Sequence, residues 1–286
     1  MKMLDSTPPT SSATVERIIR PKHGLVAIDL KELWRYRELF GFLAWRDILV
    51  RYKQTAIGIA WAVIQPILTM VVFTVIFSRL AKLPSSGAPY PVMIFAALLP
   101  WQFFANAMSQ SSGSLIGSAN IISKVYFPRL IIPVSSTISG VVDFSISFII
   151  LIGLMIWYGV PFRIYLLLLP LFFLVSFFAA LAMGLWLSAL NVKYRDVKYI
   201  VPFLVYTGLY VSPVGFISSV VPEKWRLWYT LNPMVGVIDG FRWAILGPNF
   251  EPYWPGFWAS LAILSLLLFF GAYYFRFTEK MFADII

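Results

Sequence analysis

Cysteine is absent from all 286 residues, and histidine occurs once, as His23. Without thiols there is no disulfide, thiolate metal site or cysteine nucleophile. The lone histidine lies in a polar stretch with no metal-ligand partner near it. Charge is scarce too: Asp, Glu, Lys and Arg make up 13% of the chain, against roughly 25% in a soluble domain. There is no Gly-x-x-x-x-Gly-Lys-Ser/Thr stretch and no glycine-rich strand-to-helix turn to cradle phosphates, so the chain is not expected to hydrolyse ATP alone. No cofactor, metal or catalytic residue is expected in it. Its acids, Asp143, Asp196, Glu223, Asp239 and Glu251 among them, are scattered where a membrane-embedded transferase would cluster them at one leaflet. An enzyme of that kind is the alternative class.

What is abundant is apolar surface. Hydrophobic residues are 59% of the chain, above the roughly 45–50% of a soluble domain. The net charge of +10 does not mark a nucleic-acid binder, because the basic residues sit between apolar runs instead of clustering on one soluble face, and no nucleic-acid partner is expected. From Ile57 to Phe77 no residue is charged, and Gln65, Thr69 and Thr74 are the clearly polar side chains. Such a run crosses a hydrocarbon core of about 30 Å as a helix. Repetition of the pattern predicts an all-α integral membrane protein of six spans, at about 57–79, 92–110, 134–158, 164–190, 199–217 and 257–275. Together these form one transmembrane domain over 57–276, followed by a short tail over 277–286.

Residues 1–28 lack the apolar centre of a signal peptide and read as a polar cytoplasmic tail. Residues 29–56 read as an amphipathic helix whose Lys31, Arg35, Glu38, Arg46 and Lys53 share an arc opposite Leu33, Tyr36, Phe40, Leu43, Ala44 and Ile48, with Arg37, Asp47 and Arg51 interrupting the apolar side. Two readings stand. The helix lies along the inner leaflet, its basic arc (with Arg51) toward anionic head groups and its aromatics at acyl depth, or it is a soluble helix packed on a partner.

The second span contains Pro100, Gln102 and Asn106, which fits a helix facing protein or a water-filled path. A short helix is expected from about Leu115 to Tyr126, stopped by Pro128. Asp143 lies inside the third span among serines, where an unpartnered carboxylate costs about 2.5–3.5 kcal/mol on insertion scales. It serves either an interhelical bond or a proton relay. Tyr206 and Tyr210 share one face of a fifth span expected to kink at its prolines. In the long connector after it, Asn232-Pro233 and Gly247-Pro248 bound a helix too short to span, which predicts a re-entrant or interfacial element with Asp239 and Arg242 paired at i, i+3. On this topology 17 of the 23 basic residues fall on one side, placing both termini in the cytoplasm.

Several motifs, in order, resemble the ABC-2 type permeases that export cell-surface polysaccharides. They are Arg46-Asp47-Ile48-Leu49-Val50-Arg51-Tyr52-Lys53-Gln54-Thr55 with Gly58, Trp61, Gln65-Pro66 and Phe73-x-x-x-Phe77; Phe127-Pro128-Arg129 with Pro133; Asn191-Val192-Lys193-Tyr194-Arg195-Asp196; and Asn232-Pro233-Met234 with Phe241-Arg242. The resemblance implies a bacterial inner-membrane half-transporter that pairs with a second copy of itself and with two separate ATPase subunits binding ATP and Mg. It implies export of a lipid-linked, O-antigen-like glycan, with teichoic acid, capsule, lipid or drug as alternative cargo. It further implies an interfacial helix before the first span, a coupling helix that docks the ATPase through Ser118, Asn120, Lys124 and Tyr126, and outer gate helices between spans five and six. Glycans present C–H faces that flat rings contact, so Trp101, Phe103, Phe104, Tyr206, Tyr210, Trp225, Trp228 and Trp243 are candidates to line the path or gate. An interfacial belt is the competing assignment for each.

Overall fold

The computed structural model describes residues 30–53 and 58–282. The expected tail at 1–28, His23, the end of the lead-in at 54–56 and residues 283–286 lie outside the described residues. Among the described residues every regular element is helical. In order these are α1 (Leu30–Arg35), α2 (Arg37–Lys53), α3 (Gly58–Thr74, continuing as a π-helical turn Val75–Leu80), α4 (Tyr90–Gly117), α5 (Ala119–Ile122) and α6 (Ile131–Trp157). After them come α7 (Leu169–Lys193, entered through a 3-10 turn Ile164–Leu168), α8 (Val197–Val211), α9 (Glu223–Tyr229), α10 (Pro233–Leu246) and α11 (Trp254–Thr278).

Five of these helices are long and apolar enough to cross a membrane: α3, α4, α6, α7 with its leading turn, and α11. The expected fifth span, 199–217, is shorter than the reading from hydropathy. α8 has 15 residues and stops at Val211, since Ser212 is extended and Pro213 has no N–H to continue the ladder. At 1.5 Å per residue it is about 22 Å long.

α4 is the central post. Of its most apolar stretch 83% is buried, and it touches α3, α6, α7, α8 and α10. In hydrocarbon, apolar side chains gain little from leaving lipid, so helices associate through close packing of small residues. Gly184 on α7 shows this, since a Cβ there would sit 2.4 Å from Ser111 Oγ on α4. Ala180, one turn earlier on the same face, is also buried. Gly113 and Gly117, by contrast, face open space, so their Gly-x-x-x-Gly spacing packs against none of the described residues of this chain.

The lead-in departs from its expected form in two ways. A break at Tyr36 divides it into α1 and α2. Its apolar arc packs on protein: Leu43 is buried, and Leu33, Tyr36 and Phe40 pack with it against the ends of α4, α6, α7 and α11. The outward surface carries a different apolar set, Trp34, Phe42, Trp45 and Leu49, among the exposed Lys31, Arg35 and Lys53. The helix thus carries two apolar stripes, one packed on the protein core and one exposed, and one periodicity cannot say which is which.

The region expected as a helix over Leu115–Tyr126 is likewise divided. Leu115 to Gly117 close α4, and α5 is only four residues long. Ser118 is buried at their junction, while Asn120, Lys124 and Tyr126 are exposed.

Candidate functional site

α3, α4, α6 and α8, with the end of α2, line an open cavity of about 680 Å³. Each wall contributes residues one helical turn apart, because positions i and i+4 share a face. α3 supplies Trp61, Gln65 and Thr69, α4 supplies Leu98, Gln102 and Asn106, α6 supplies Asp143 and Ser147, and α8 supplies Val205, Tyr206 and Leu209. Pro66 and Pro100 also lie at this level of α3 and α4. The Pro100 carbonyl accepts a hydrogen bond from Ser176 Oγ at 3.3 Å. The walls therefore combine aromatic faces with neutral carboxamides and hydroxyls.

Of the eight aromatic candidates the structure brings three to this cavity: Trp101, Phe103 and Tyr206. Phe104 packs behind Trp101 with ring centroids 5.6 Å apart. Tyr210 stacks on Phe73 of α3 at 6.3 Å, closing the space one turn beyond Tyr206. Trp243 is enclosed by Tyr165, Phe172 and Trp254. Trp225 and Trp228 are exposed on α9 and are not among the residues lining the cavity. Sequence reasoning missed Trp61, Gln65, Thr69 and Ser147 as lining residues, although polar side chains four apart inside apolar runs were the available signal; Gln102 and Asn106, read as facing protein or a water-filled path, line the cavity.

At one end of the cavity Asp143 meets α2. Arg51 Nη1 donates to Asp143 Oδ2 in an ion pair, and Tyr52 OH donates to Oδ1. Asp143 stands at the middle of α6, twelve residues past Ile131 or about 18 Å along the axis. One turn earlier on α2, Asp47 accepts from Ser136 Oγ at 3.2 Å. The end of α2 is thus fastened to α6 at the level of the cavity. Burial and the neighbouring carboxylate hold the Tyr52 phenol above its ordinary range, so it keeps its proton and acts as donor. This geometry is the interhelical bond of the two readings for Asp143. The remaining serines of α6 are not all inward: Ser145 is exposed and bonds the Val141 carbonyl of its own helix at 2.8 Å.

At the far end of α8, residues 212–218 run irregularly between α8 and α9, and their backbone is satisfied from α10. Arg242, fully buried, donates from Nη2 to the Val214 carbonyl at 2.8 Å, from Nη1 to Phe216 at 2.7 Å and from Nε to Met93 at 3.2 Å. The expected Asp239–Arg242 ion pair is replaced by this fork. Asp239 instead accepts from Ser218 Oγ at 2.7 Å. The planar guanidinium reaches two carbonyls of irregular backbone, Val214 and Phe216, and a third on α4 at once, which outweighs a local i, i+3 pair. Burial lifts the Asp239 carboxyl to about 6, against the opposing pull of the Ser218 hydroxyl and the Arg242 and Arg226 charges. Burial also lowers Arg242 to about 10, leaving it protonated near neutral pH. Asn232 caps α10 by accepting from the Met234 N–H at 3.0 Å and also donates to Ser212 Oγ at 3.1 Å, while Tyr229 OH donates to the Val211 carbonyl at 2.9 Å. Gly247, at φ +100°, ends the helix.

At the opposite end of the bundle, the loop after α5 is tied to the end of α11. Glu279 Oε1 accepts from the Arg129 backbone N–H at 2.8 Å and Oε2 from Arg276 Nη1 at 2.9 Å, and the Arg129 guanidinium donates to the Glu279 carbonyl. Beneath this staple, Phe127, Leu130, Phe275 and Phe282 form one apolar cluster with Leu43 of α2.

The family described as ABC-2 type transporter matches residues 38–246. The O-antigen export system permease protein RfbA of Myxococcus xanthus is 27% identical over 259 residues, covering 90% of this chain and 98% of its own. A protein of the same name from Klebsiella pneumoniae is 28% identical over 198 residues, with 69% and 76% covered. The polysialic acid transport protein KpsM of Escherichia coli is 22% identical over 247 residues, with 82% and 91% covered.

Proposed function

The chain belongs to the ABC-2 type transporter family, and on that premise we propose that it is the membrane subunit of an exporter carrying a lipid-linked, O-antigen-like polysaccharide across the bacterial inner membrane. The observation that carries this reading to the residues is the cavity between α3, α4, α6 and α8. Its tryptophan and tyrosine faces and its carboxamides match a ligand that is polar at its hydroxyls and flat and apolar at its C–H faces.

Transport in one direction requires energy, and a bound ligand shifts a two-state protein only by its differential affinity for the two states. A separate pair of ATPase subunits, holding ATP and Mg, supplies that difference, docking at the exposed Asn120, Lys124 and Tyr126 around α5. A second copy of the chain packs on the outward surfaces of α3 and α8 and closes the cavity into a path. α8, extended by residues 212–217, is the sixth crossing, α9 and α10 form the outer gate, and both termini lie in the cytoplasm.

The test is deletion of the gene. Polymer retained on its lipid carrier inside the cell, and restored to the surface by the intact gene, supports the reading. Unchanged surface polymer in the deletion strain, or transport by the isolated chain in vesicles without nucleotide or partner, overturns it.

A further inference from the structure

The charges at the cavity cancel. Arg51 and Asp143 are the charged side chains among the described residues that line it, and they are paired with each other. The other hydrogen-bonding groups are neutral, with the Gln65, Gln102 and Asn106 carboxamides the largest. We propose that this cavity selects polymers whose repeat units are uncharged, an inference that rests on the glycan-export reading and narrows its substrate class.

A carboxamide both donates and accepts, and so does a sugar hydroxyl, so each can satisfy the other without leaving a buried group unpaired. A uronate or sialate carboxylate only accepts, and it brings a charge that the neutral carboxamides do not balance. The guanidinium able to balance it is already engaged by Asp143. The exposed Trp61 and Tyr206 rings add stacking surface whose negative faces attract C–H edges and repel carboxylates. A single charged linker at one end of the cargo meets this barrier once, whereas a charged polymer meets it at every repeat. Discrimination therefore accumulates along the chain.

The experiment places the full-length protein in lipid nanodiscs and compares a neutral hexose oligosaccharide with a uronic-acid oligosaccharide of equal length, by saturation-transfer NMR with titration. The wild type is expected to bind the neutral sugar at least tenfold more tightly. Asp143→Asn removes the carboxylate that balances Arg51, and Gln102→Lys adds a positive charge without touching the pair. Each is expected to move the preference toward the uronate by about tenfold, and Gln102→Lys serves if Asp143→Asn does not fold. Equal affinity of the wild type for both sugars, or a ratio unmoved by Gln102→Lys, overturns the charge selection and leaves the export reading standing. Binding of neither sugar overturns the cavity as a glycan site together with the selection built on it.

Discussion

Arg242 on α10 holds the carbonyl of Val214, 28 residues earlier in the chain, at 2.8 Å, with no part of its side chain open to solvent. A buried irregular backbone segment needs donors from somewhere, and two of the carbonyls in this one receive them from a single guanidinium. Arg242→Ala strands the carbonyls of Val214 and Phe216, and at about 1–3 kcal/mol for each unsatisfied buried group the loss is several kcal/mol. Thermal unfolding in detergent is expected to show a large drop for Arg242→Ala and a smaller one for Arg242→Lys, which keeps the charge but not the fork.

Asp239 gives the fold a pH dependence of unusual sign for a carboxylate. Its folded value is raised from 3.8 to about 6, so between these the folded protein holds more protons than the unfolded chain. Stability contributed by this group is present below pH 4, declines as pH rises through about 6 and is flat above, with a total on the order of 3 kcal/mol. Melting temperatures measured from pH 4.5 to 7.5 are expected to show this decline in the wild type, and Asp239→Asn is expected to remove this component of it.

Gly208 lets α8 approach the cavity wall, since a Cβ there would sit 2.6 Å from Trp101 Cη2. Alanine favours a helix by up to about 1 kcal/mol, but overpacking against a fixed indole costs about 1–3 kcal/mol. Gly208→Ala is expected to push α8 outward and lower polysaccharide export while the protein still reaches the membrane. Adding Trp101→Phe, which shortens the ring, is expected to recover part of the export; surface polymer quantified in complemented cells checks both.

Glu279 joins the end of α11 to the loop that follows α5. Glu279→Ala removes two charge-assisted hydrogen bonds, from the Arg129 N–H and from Arg276, the second also an ion pair, and is expected to cost about 2 kcal/mol. If α5 takes the thrust of an ATPase, the same variant raises the ATP hydrolysed per polymer exported. Both quantities are measurable on the reconstituted complex.

Much of the site was legible in part. Gln65 and Thr69, Gln102 and Asn106, and Tyr206 and Tyr210 each lie four residues apart in apolar runs, and that spacing marks a face set apart from lipid. What the spacing cannot say is what the face meets. Tyr206 opens on the cavity while Tyr210 stacks on Phe73, and the identical reasoning that selected Trp101 also selected Trp243, which is packed among other rings. Aromatic side chains serve core, interface and ligand alike, so residue type alone does not separate these roles.

From composition and hydropathy alone come the membrane-spanning class, the apolar helices and the bounds of α10, because each depends on local energetics: transfer into hydrocarbon, a missing proline N–H, an asparagine cap. The partner of Asp143 and the donor set around residues 212–217 came only from the folded chain. These are contacts between residues tens of positions apart, and a charge buried in a bilayer announces that it needs a partner without indicating which of several arginines will reach it.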